Sequence, residues 1–414
     1  MTDPARPASP FRDRPFIGAL AIAALLLAAA NLRGGLVVVG PLVMEIRDTL
    51  AINASAFSLL TTLPLLCFGI VSITVPWLSR RWAPQQLAIA GLLVISLGVA
   101  LRLLEQYPLV ILGTLLLGSA IAVLNVLIPG LVKSFFPGQV GLMTGLYSVT
   151  LSLGAGLGVY LAVPLMEQFG SWRYPVALWA LLPLFCMLFW LPMLRVRGVE
   201  RLGKLTRMSL WRDKVAWAIT LFMGLQSFYF YSMATWLPKI LLESSLDAHR
   251  AGTATALINL VSIPFNLFVP MLAARMRNQR LLVLGTFTAS FIGIAGLWWL
   301  PSAALLWASL IGVGCGCALS LALSFFVLRT ATPVQATALS AMAQSIGYLL
   351  AALGPLSLGL LRDINGHWQW ALATMLVLQL FQLGFGWYAA RPLNVVSDQE
   401  RQRDLKAGAA PKAY

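Results

Sequence analysis

Charge is what this chain has least of. Only 10% of its 414 residues are charged, against about 25% in a soluble domain. An ordinary water-soluble globule is thereby excluded. Acids are scarcer still, 14 against 29 Lys and Arg, and none falls inside an apolar run. Histidine occurs twice, as His249 and His367, and cysteine four times, as Cys67, Cys186, Cys315 and Cys317. No CxxC pair occurs and no histidine lies near a cysteine, which argues against structural zinc, any other metal site and a disulfide scaffold. A Ser/His/Asp set is missing, as is the G-x-x-x-x-G-K-[ST] loop of ATP-driven machines. The expectation is a protein with no catalytic residue and no cofactor, and not an enzyme.

What the chain has is apolar runs. Broken at Pro, Gly and charge clusters, they give twelve spans, each near the ~20 residues that cross a bilayer as helix. Their limits are 16–40, 55–78, 85–103, 108–132, 140–165 and 172–194, then 215–238, 252–274, 281–300, 302–328, 336–361 and 368–390. The start, MTDPARPASPFRDRPF, is basic. The run that follows exceeds a signal-peptide core and shows no clear cleavage site, so it reads as a retained first helix.

Lys and Arg are distributed unevenly. The two tails and the even-numbered loops hold 22 and the odd-numbered loops 6, Arg102 and Arg173 at span edges being counted with those loops, and Arg33 within the first span makes 29. Positive residues stay on the cytoplasmic side during insertion, so both termini and the 195–214 loop are expected there. The basic pI is then a topology signal that calls for no nucleic-acid partner.

The longest loop, 195–214, divides the chain into a tail (1–15), a bundle (16–194), that cytoplasmic linker, a second bundle (215–390) and a second tail (391–414). A shift of 196 residues brings Lys133 onto Arg329, Pro137 onto Pro333, Glu167 onto Asp363, Gly170 onto Gly366 and Trp172 onto Trp368. The reading is all-α, with two six-helix bundles in parallel repeat around a central cavity. Such a body would rock between two open sides with a substrate at mid-membrane, and a monomer suffices. Gly154, Gly156, Gly158, Gly312, Gly314 and Gly316 could serve that motion or simple tight packing.

Arg33 is the first candidate for substrate contact. With span 1 centred near residue 28 it lies ~7–8 Å from the midplane. It either snorkels outward or faces the bundle interior. Glu45, the next acid along, is ~18 Å away on an ideal helix. With no acid in any span, a cavity-facing guanidinium favours a cargo that brings negative charge or paired acceptor oxygens. Asn31, Asn125, Tyr147, Gln226, Tyr229, Trp236, Gln344 and Tyr348 complete the substrate-binding set, Asn125 lying four residues before Pro129 and eight before Lys133 on one helix face. On an unbroken helix Asn31 and Arg33 would point ~200° apart. For Asn259, Ser262, Asn266, Ser320 and Ser324 helix-to-helix hydrogen bonding is the expectation. Arg80, Arg81, Lys133, Arg329, Glu167 and Asp363 form a helix-end set suited to gating.

NLRGGLVVVGPL in span 1, LLTTLPLL in span 2, NVLIPGLVKSFFP after span 4, TGLYS in span 5, WLPKIL after span 7 and SAMAQSIGYLLAALGP in span 11 resemble the cyanate/2-nitroimidazole transporter (CynX/NimT) family of the major facilitator superfamily. The similarity runs over about residues 16–390 and is greater to the 2-nitroimidazole branch. It implies a twelve-helix facilitator in the bacterial inner membrane that moves a small polar, anionic or nitroaromatic molecule by alternating access. The loop SRRWAPQQ lacks the Asp of the superfamily signature G-x-x-x-D-R-x-G-R-R, which puts acid-based cytoplasmic gating in doubt. The alternative within the same class is a proton-linked multidrug exporter working through Glu167 or Asp363. The solute, the lipid bilayer and no other partner are expected.

Overall fold

The structure is a computed structural model that describes residues 10–11, 13–196 and 209–397. The outer parts of both tails and linker residues 197–208, with the basic residues expected there, lie outside it. The first part of the chain folds as α1 (Pro15–Asn31), α2 (Gly34–Val37), α3 (Val43–Leu50), α4 (Ala54–Ser72), α5 (Val75–Arg81), α6 (Pro84–Arg102), α7 (Tyr107–Phe135), α8 (Val140–Tyr160), α9 (Ala162–Phe169) and α10 (Arg173–Trp190). Then come α11 (Lys214–Glu243), α12 (Ala248–Arg275), α13 (Arg280–Trp299), α14 (Ala304–Leu328), α15 (Pro333–Asn365) and α16 (Gln369–Ala389). No strand occurs among the described residues.

Among the described residues ten helices are long and apolar enough to cross a membrane, or eleven if α4 and α5, bent by 56° at their junction, count as one. The twelfth expected span is α11. Its 30 residues reach ~45 Å, but Gln226, Ser227, Tyr229, Tyr231, Ser232 and Thr235 interrupt its apolar stretch. Two spans differ from the sequence expectation of straight helices. Span 2 bends after Ser72, and span 1 is interrupted between Asn31 and Gly34. Arg33 is therefore not a mid-helix residue. It is the N-cap of the one-turn helix α2, and the 200° separation from Asn31, which assumed continuous helix, does not apply.

Local chemistry sets several helix ends. Asn53, Asp213 and Asp247 each accept a first-turn N–H, from Ala56 (2.8 Å), Ala216 (2.7 Å) and Arg250 (2.8 Å), which satisfies a donor the helix cannot. Gly170 and Gly366, 196 residues apart, close α9 and α15 in the left-handed region at φ 71° and 76°. Each donates its N–H back to the fourth residue before it at 2.8 Å, to Met166 and Arg362. The repeat is thus written into the backbone as well as the sequence.

The chain packs as two units, Met1–Leu205 with Thr332–Ala341 and Thr206–Ala331 with Met342–Tyr414. Missing side chains bring helices together inside each. In the first unit a Cβ on Gly98 would lie 2.7 Å from the Gly113 carbonyl, and one on Gly118 2.9 Å from Pro64 Cα. In the second unit a Cβ on Gly316 would lie 2.6 Å from the Ser262 carbonyl. That contact repeats the Gly118–Pro64 approach 198 residues on. The expectation of helix-to-helix bonds is not met at Ser262, Ser320 and Ser324, since each hydroxyl donates to a carbonyl of its own helix.

One end of the second unit is tied by Arg329, which follows α14 and is buried. Its Nε donates to Ala389 O and its Nη2 to Ala390 O, both at 2.9 Å, and Nη2 also reaches Gln279 Oε1. A cation at the carbonyl end of α16 meets the negative pole of that helix. Val395 N donates back to Arg329 O at 2.8 Å, and Val396 N to Asp213 Oδ2 at 3.2 Å. The residues just past α16 are therefore fastened to the bundle.

Two stability predictions follow from these contacts. Gly154→Ala drives a methyl into the Ala30 carbonyl, whereas a methyl at Gly156 meets nothing within 4 Å. Thermal unfolding in detergent should register about 1–3 kcal/mol of loss for the first and a change within about 0.5 kcal/mol for the second. Arg329→Ala removes charged donors from buried acceptors and should cost about 1.5–3 kcal/mol on the same assay. A wild-type melt for Arg329→Ala would show that the clamp carries no weight.

Candidate functional site

The first unit contributes a collar around the interruption in the first span. Two glycines follow Arg33, and the Asn31 side chain bonds its own helix, Nδ2 donating to Leu27 O at 2.8 Å. Such back-bonding competes with helix continuation. Leu32 N closes onto Ala29 O at 3.1 Å, and the helix restarts with Leu36 N and Val37 N both donating to Arg33 O. Arg33 itself is half-buried. Asn31 is 1% exposed, and its Oδ1 is buried without a hydrogen-bond partner.

Neighbouring helices grip this break. Gly154 and Gly158 of α8 are four residues apart and face Ala30 and Gly34, since a Cβ on either would press on those carbonyls. On the other side the Trp179 indole of α10 occupies the space a Gly34 side chain would need. Trp190 Nε1 donates to Ala24 O at 3.0 Å and holds α1 lower down. Packing therefore requires glycine at 34, beneath the tryptophan ring.

Arg102 was expected in a loop and is not there. It ends α6, is 1% exposed, and its Nη1 donates to Gly35 O at 2.8 Å. Its Nη2 is buried without a partner. The expectation of a single intramembrane arginine fails here, because a charge at the margin of an apolar run was read as a boundary. The clue was available: Gly98 and Gly113 draw α6 against α7, and a Cβ on Gly113 would meet Arg102 Cγ at 3.0 Å. Room had been left for the arginine stem.

Other expected residues divide into two groups. Asn125 of α7 and Tyr147 of α8, both buried, are brought together, the Tyr147 hydroxyl donating to Asn125 Oδ1 at 3.3 Å. Tyr147 lies seven residues before Gly154 on α8, or about 10 Å along the axis from the break. Lys133, in the last turn of α7, is half-buried. Arg80 and Arg81 are exposed, Arg81 lying over the Trp77 ring at 4.3 Å.

In the second unit Gly224 of α11 meets Gly347 of α15, and Gln226, Gln344 and Tyr348 lie buried within a turn of that crossing. Gln226 spends its amide on its own helix, donating to Ser227 Oγ at 2.7 Å. Tyr229 is placed elsewhere, in an apolar core with Met233, Ile258, Ile294 and Cys315. Its hydroxyl is buried beside Ser290 and Cys315 without completing a hydrogen bond. Trp236 is held between helices, Nε1 donating to Pro355 O at 2.7 Å and its ring 5.2 Å from that of Trp368. At the same end Glu243 accepts from Arg362 Nη2 at 3.2 Å and from Trp368 Nε1 at 2.8 Å. Glu167 and Asp363 are exposed.

Sequence reasoning passed over two buried amides of α16, Gln379 and Gln382, which border a narrow crevice with Leu225, Phe228 and Tyr229. Every carboxylate among the described residues stands in a loop, a short helix or a helix terminus. The long helices carry amide, hydroxyl and phenol groups in their interiors, with guanidinium groups at their ends and at the break in the first span. That inventory suits recognition of an electron-rich solute.

Comparison with known proteins agrees with this inventory. The 2-nitroimidazole transporter of Escherichia coli (strain K12) is 36% identical over 373 residues, covering 89% of this chain and 95% of that protein. The cyanate transport protein CynX of the same organism is 30% identical over 364 residues, covering 86% and 94%. Among solved structures the proton:xylose symporter XylE superposes with a TM-score of 0.72 at 13% identity, over 92% of this chain and 97% of that one. It shares the fold alone. Residues 20–355 match the Major Facilitator Superfamily, and the chain is a multi-pass membrane transporter that belongs to the cyanate/2-nitroimidazole (CynX/NimT) family within it.

Proposed function

We propose that the protein carries a small, flat, electron-rich solute, cyanate-like or nitroaromatic, and that Arg33 receives its negative end. The observation that carries this reading is the interruption of the first span at Asn31–Arg33. Non-helical backbone at membrane depth is tolerated where it is enclosed by protein or lines a water-filled path, and broken helices are a recurrent site of solute binding. A guanidinium presents paired donors that fit a nitro group or an anion with adjacent acceptors. The two relatives named for such solutes support the class without deciding between them.

Asn31, Asn125 and Tyr147 in the first unit, and Gln226, Gln344 and Tyr348 in the second, supply the remaining contacts in this proposal. Tyr229 and Trp236, committed to a core and to Pro355, support packing. Residues 16–194 and 215–390 act as the moving bundles, with 195–214 as linker. The carrier works as a monomer in the bacterial inner membrane with both termini cytoplasmic, and catalyses no reaction. Lys133, Arg80 and Arg81 mark the cytoplasmic helix ends.

Reconstituted proteoliposomes test the cation. Uptake of radiolabelled 2-nitroimidazole or cyanate should fall about tenfold or more in Arg33→Ala, the cost of a lost charged hydrogen bond. Arg33→Lys should fall between, because an ammonium cannot form the planar two-pronged contact. Unchanged uptake of both compounds in Arg33→Ala would refute the assignment.

Glu167 and Asp363 are exposed, and a proton relay needs membrane-embedded acids. Flux in Glu167→Gln and Asp363→Asn should accordingly match wild type with or without a pH gradient. Loss of gradient-dependent flux in either variant would restore the proton-linked exporter.

A further inference from the structure

The geometry points to Arg102 as a positioning residue for solute binding: its guanidinium fixes the break in the first span and thereby the presentation of Arg33. This rests on the proposed contact between Arg33 and the solute. Around the break, Val38 N donates to Gly34 O and Gly40 N to Val37 O. The intervening Gly35 carbonyl, passed over by those bonds, accepts from Arg102 Nη1 at 2.8 Å. A side chain from another helix thus stands where the helical ladder would have placed a backbone N–H. Gly35 lies two residues beyond Arg33, in the single turn that Arg33 caps.

The Arg102 stem is itself held. It lies against Gly113, where any Cβ would come within 3.0 Å of its Cγ. Gly35 is bounded by Trp179 and Val99, with an added Cβ 3.4 Å from Trp179 Cβ and 3.6 Å from Val99 Cγ2. Movement of the guanidinium therefore carries the Gly35 carbonyl with it. Arg102 ends α6, whose terminal carbonyls favour a cation, and none of the ion pairs among the described residues includes it. A group needed only for packing would avoid the desolvation cost of a buried charge, which well-packed apolar residues of similar volume match or beat.

The test uses the full chain, with Arg102→Met and Arg102→Gln made in the wild-type and Arg33→Lys backgrounds. Hydrogen exchange is read over residues 31–40, and uptake kinetics with radiolabelled 2-nitroimidazole and cyanate. In Arg102→Met, amides across the break should exchange about tenfold faster or more, with the other helices unchanged. The KM should rise about tenfold with Vmax held, the mark of lost binding in place of lost turnover. The same substitution should add little in Arg33→Lys, because coupled residues are not additive. Arg102→Gln, which keeps one donor for Gly35 O, should recover part of both effects and carries the comparison should Arg102→Met fail to fold.

Unchanged exchange over residues 31–40, or an equal KM change in both backgrounds, would overturn the positioning role. A wild-type KM in Arg33→Lys would instead overturn the solute contact, while the exchange data would still decide whether Arg102 fixes the break.

Discussion

Carbonyl groups released where the first span breaks set the terms for everything packed around them. In hydrocarbon each unsatisfied backbone group costs several kcal/mol, so an interrupted helix persists only if protein answers it. Here the answer is distributed over three helices. Gly154 and Gly158 let α8 close on Ala30 and Gly34, Trp179 of α10 covers Gly34, and Arg102 of α6 serves Gly35. Arg102 supplies the hydrogen-bond donor, while the glycines and Trp179 supply the close packing that encloses the break. The break is thus a property of the whole first unit, although four residues, Asn31 to Gly34, spell it out.

Charge follows from the same constraint. A cation buried at a helix C-terminus meets partial negative charge from the terminal carbonyls, which is how both Arg102 and Arg329 are accommodated. A carboxylate at the same places would meet repulsion, so this architecture selects guanidinium groups for its interior. Ion pairs such as Arg173–Glu105 and Arg362–Glu243 stand at helix ends and are partly exposed. There water screens them and their contribution is small. An anion or nitro group arriving beside Arg33 would then bring a charge type that the helix interiors do not supply.

Much of the fold was legible because hydropathy reports length and polarity together. All twelve runs correspond to helices, and the 196-residue shift that pairs Gly170 with Gly366 reappears as two left-handed helix ends. What escaped was direction within a run. Hydropathy cannot distinguish an apolar stretch that continues as helix from one that breaks, and NLRGG reads the same either way unless its two adjacent glycines are weighed. Arg102 was lost for the opposite reason, since a charge at the edge of a run imitates a loop. Asn125 and Tyr147, singled out as polar groups in apolar runs, meet each other across α7 and α8, as polar groups in hydrocarbon seek partners. Trp236 and Tyr229 were not legible, because an aromatic with a polar tip serves packing and recognition equally well, and only Pro355 and the Cys315 core separate the two.

The glycine contacts bear on motion as well. Where α8 meets the break, Gly154 faces the Ala30 backbone and Gly158 the Gly34 backbone, with the Val37 side chain alongside Gly158. Interdigitated side chains must leave rotamer wells before helices can shift, whereas smooth backbone surfaces can slide by small increments. The Trp179 and Arg102 side is different, since a ring and a clamped guanidinium resist displacement. On the proposed contact, a solute pulling on Arg33 would act on a segment held toward α6 and α10 and less interlocked toward α8. Such asymmetry gives binding a preferred direction in which to deform the first unit, as a carrier requires if occupancy is to shift the balance between its two states.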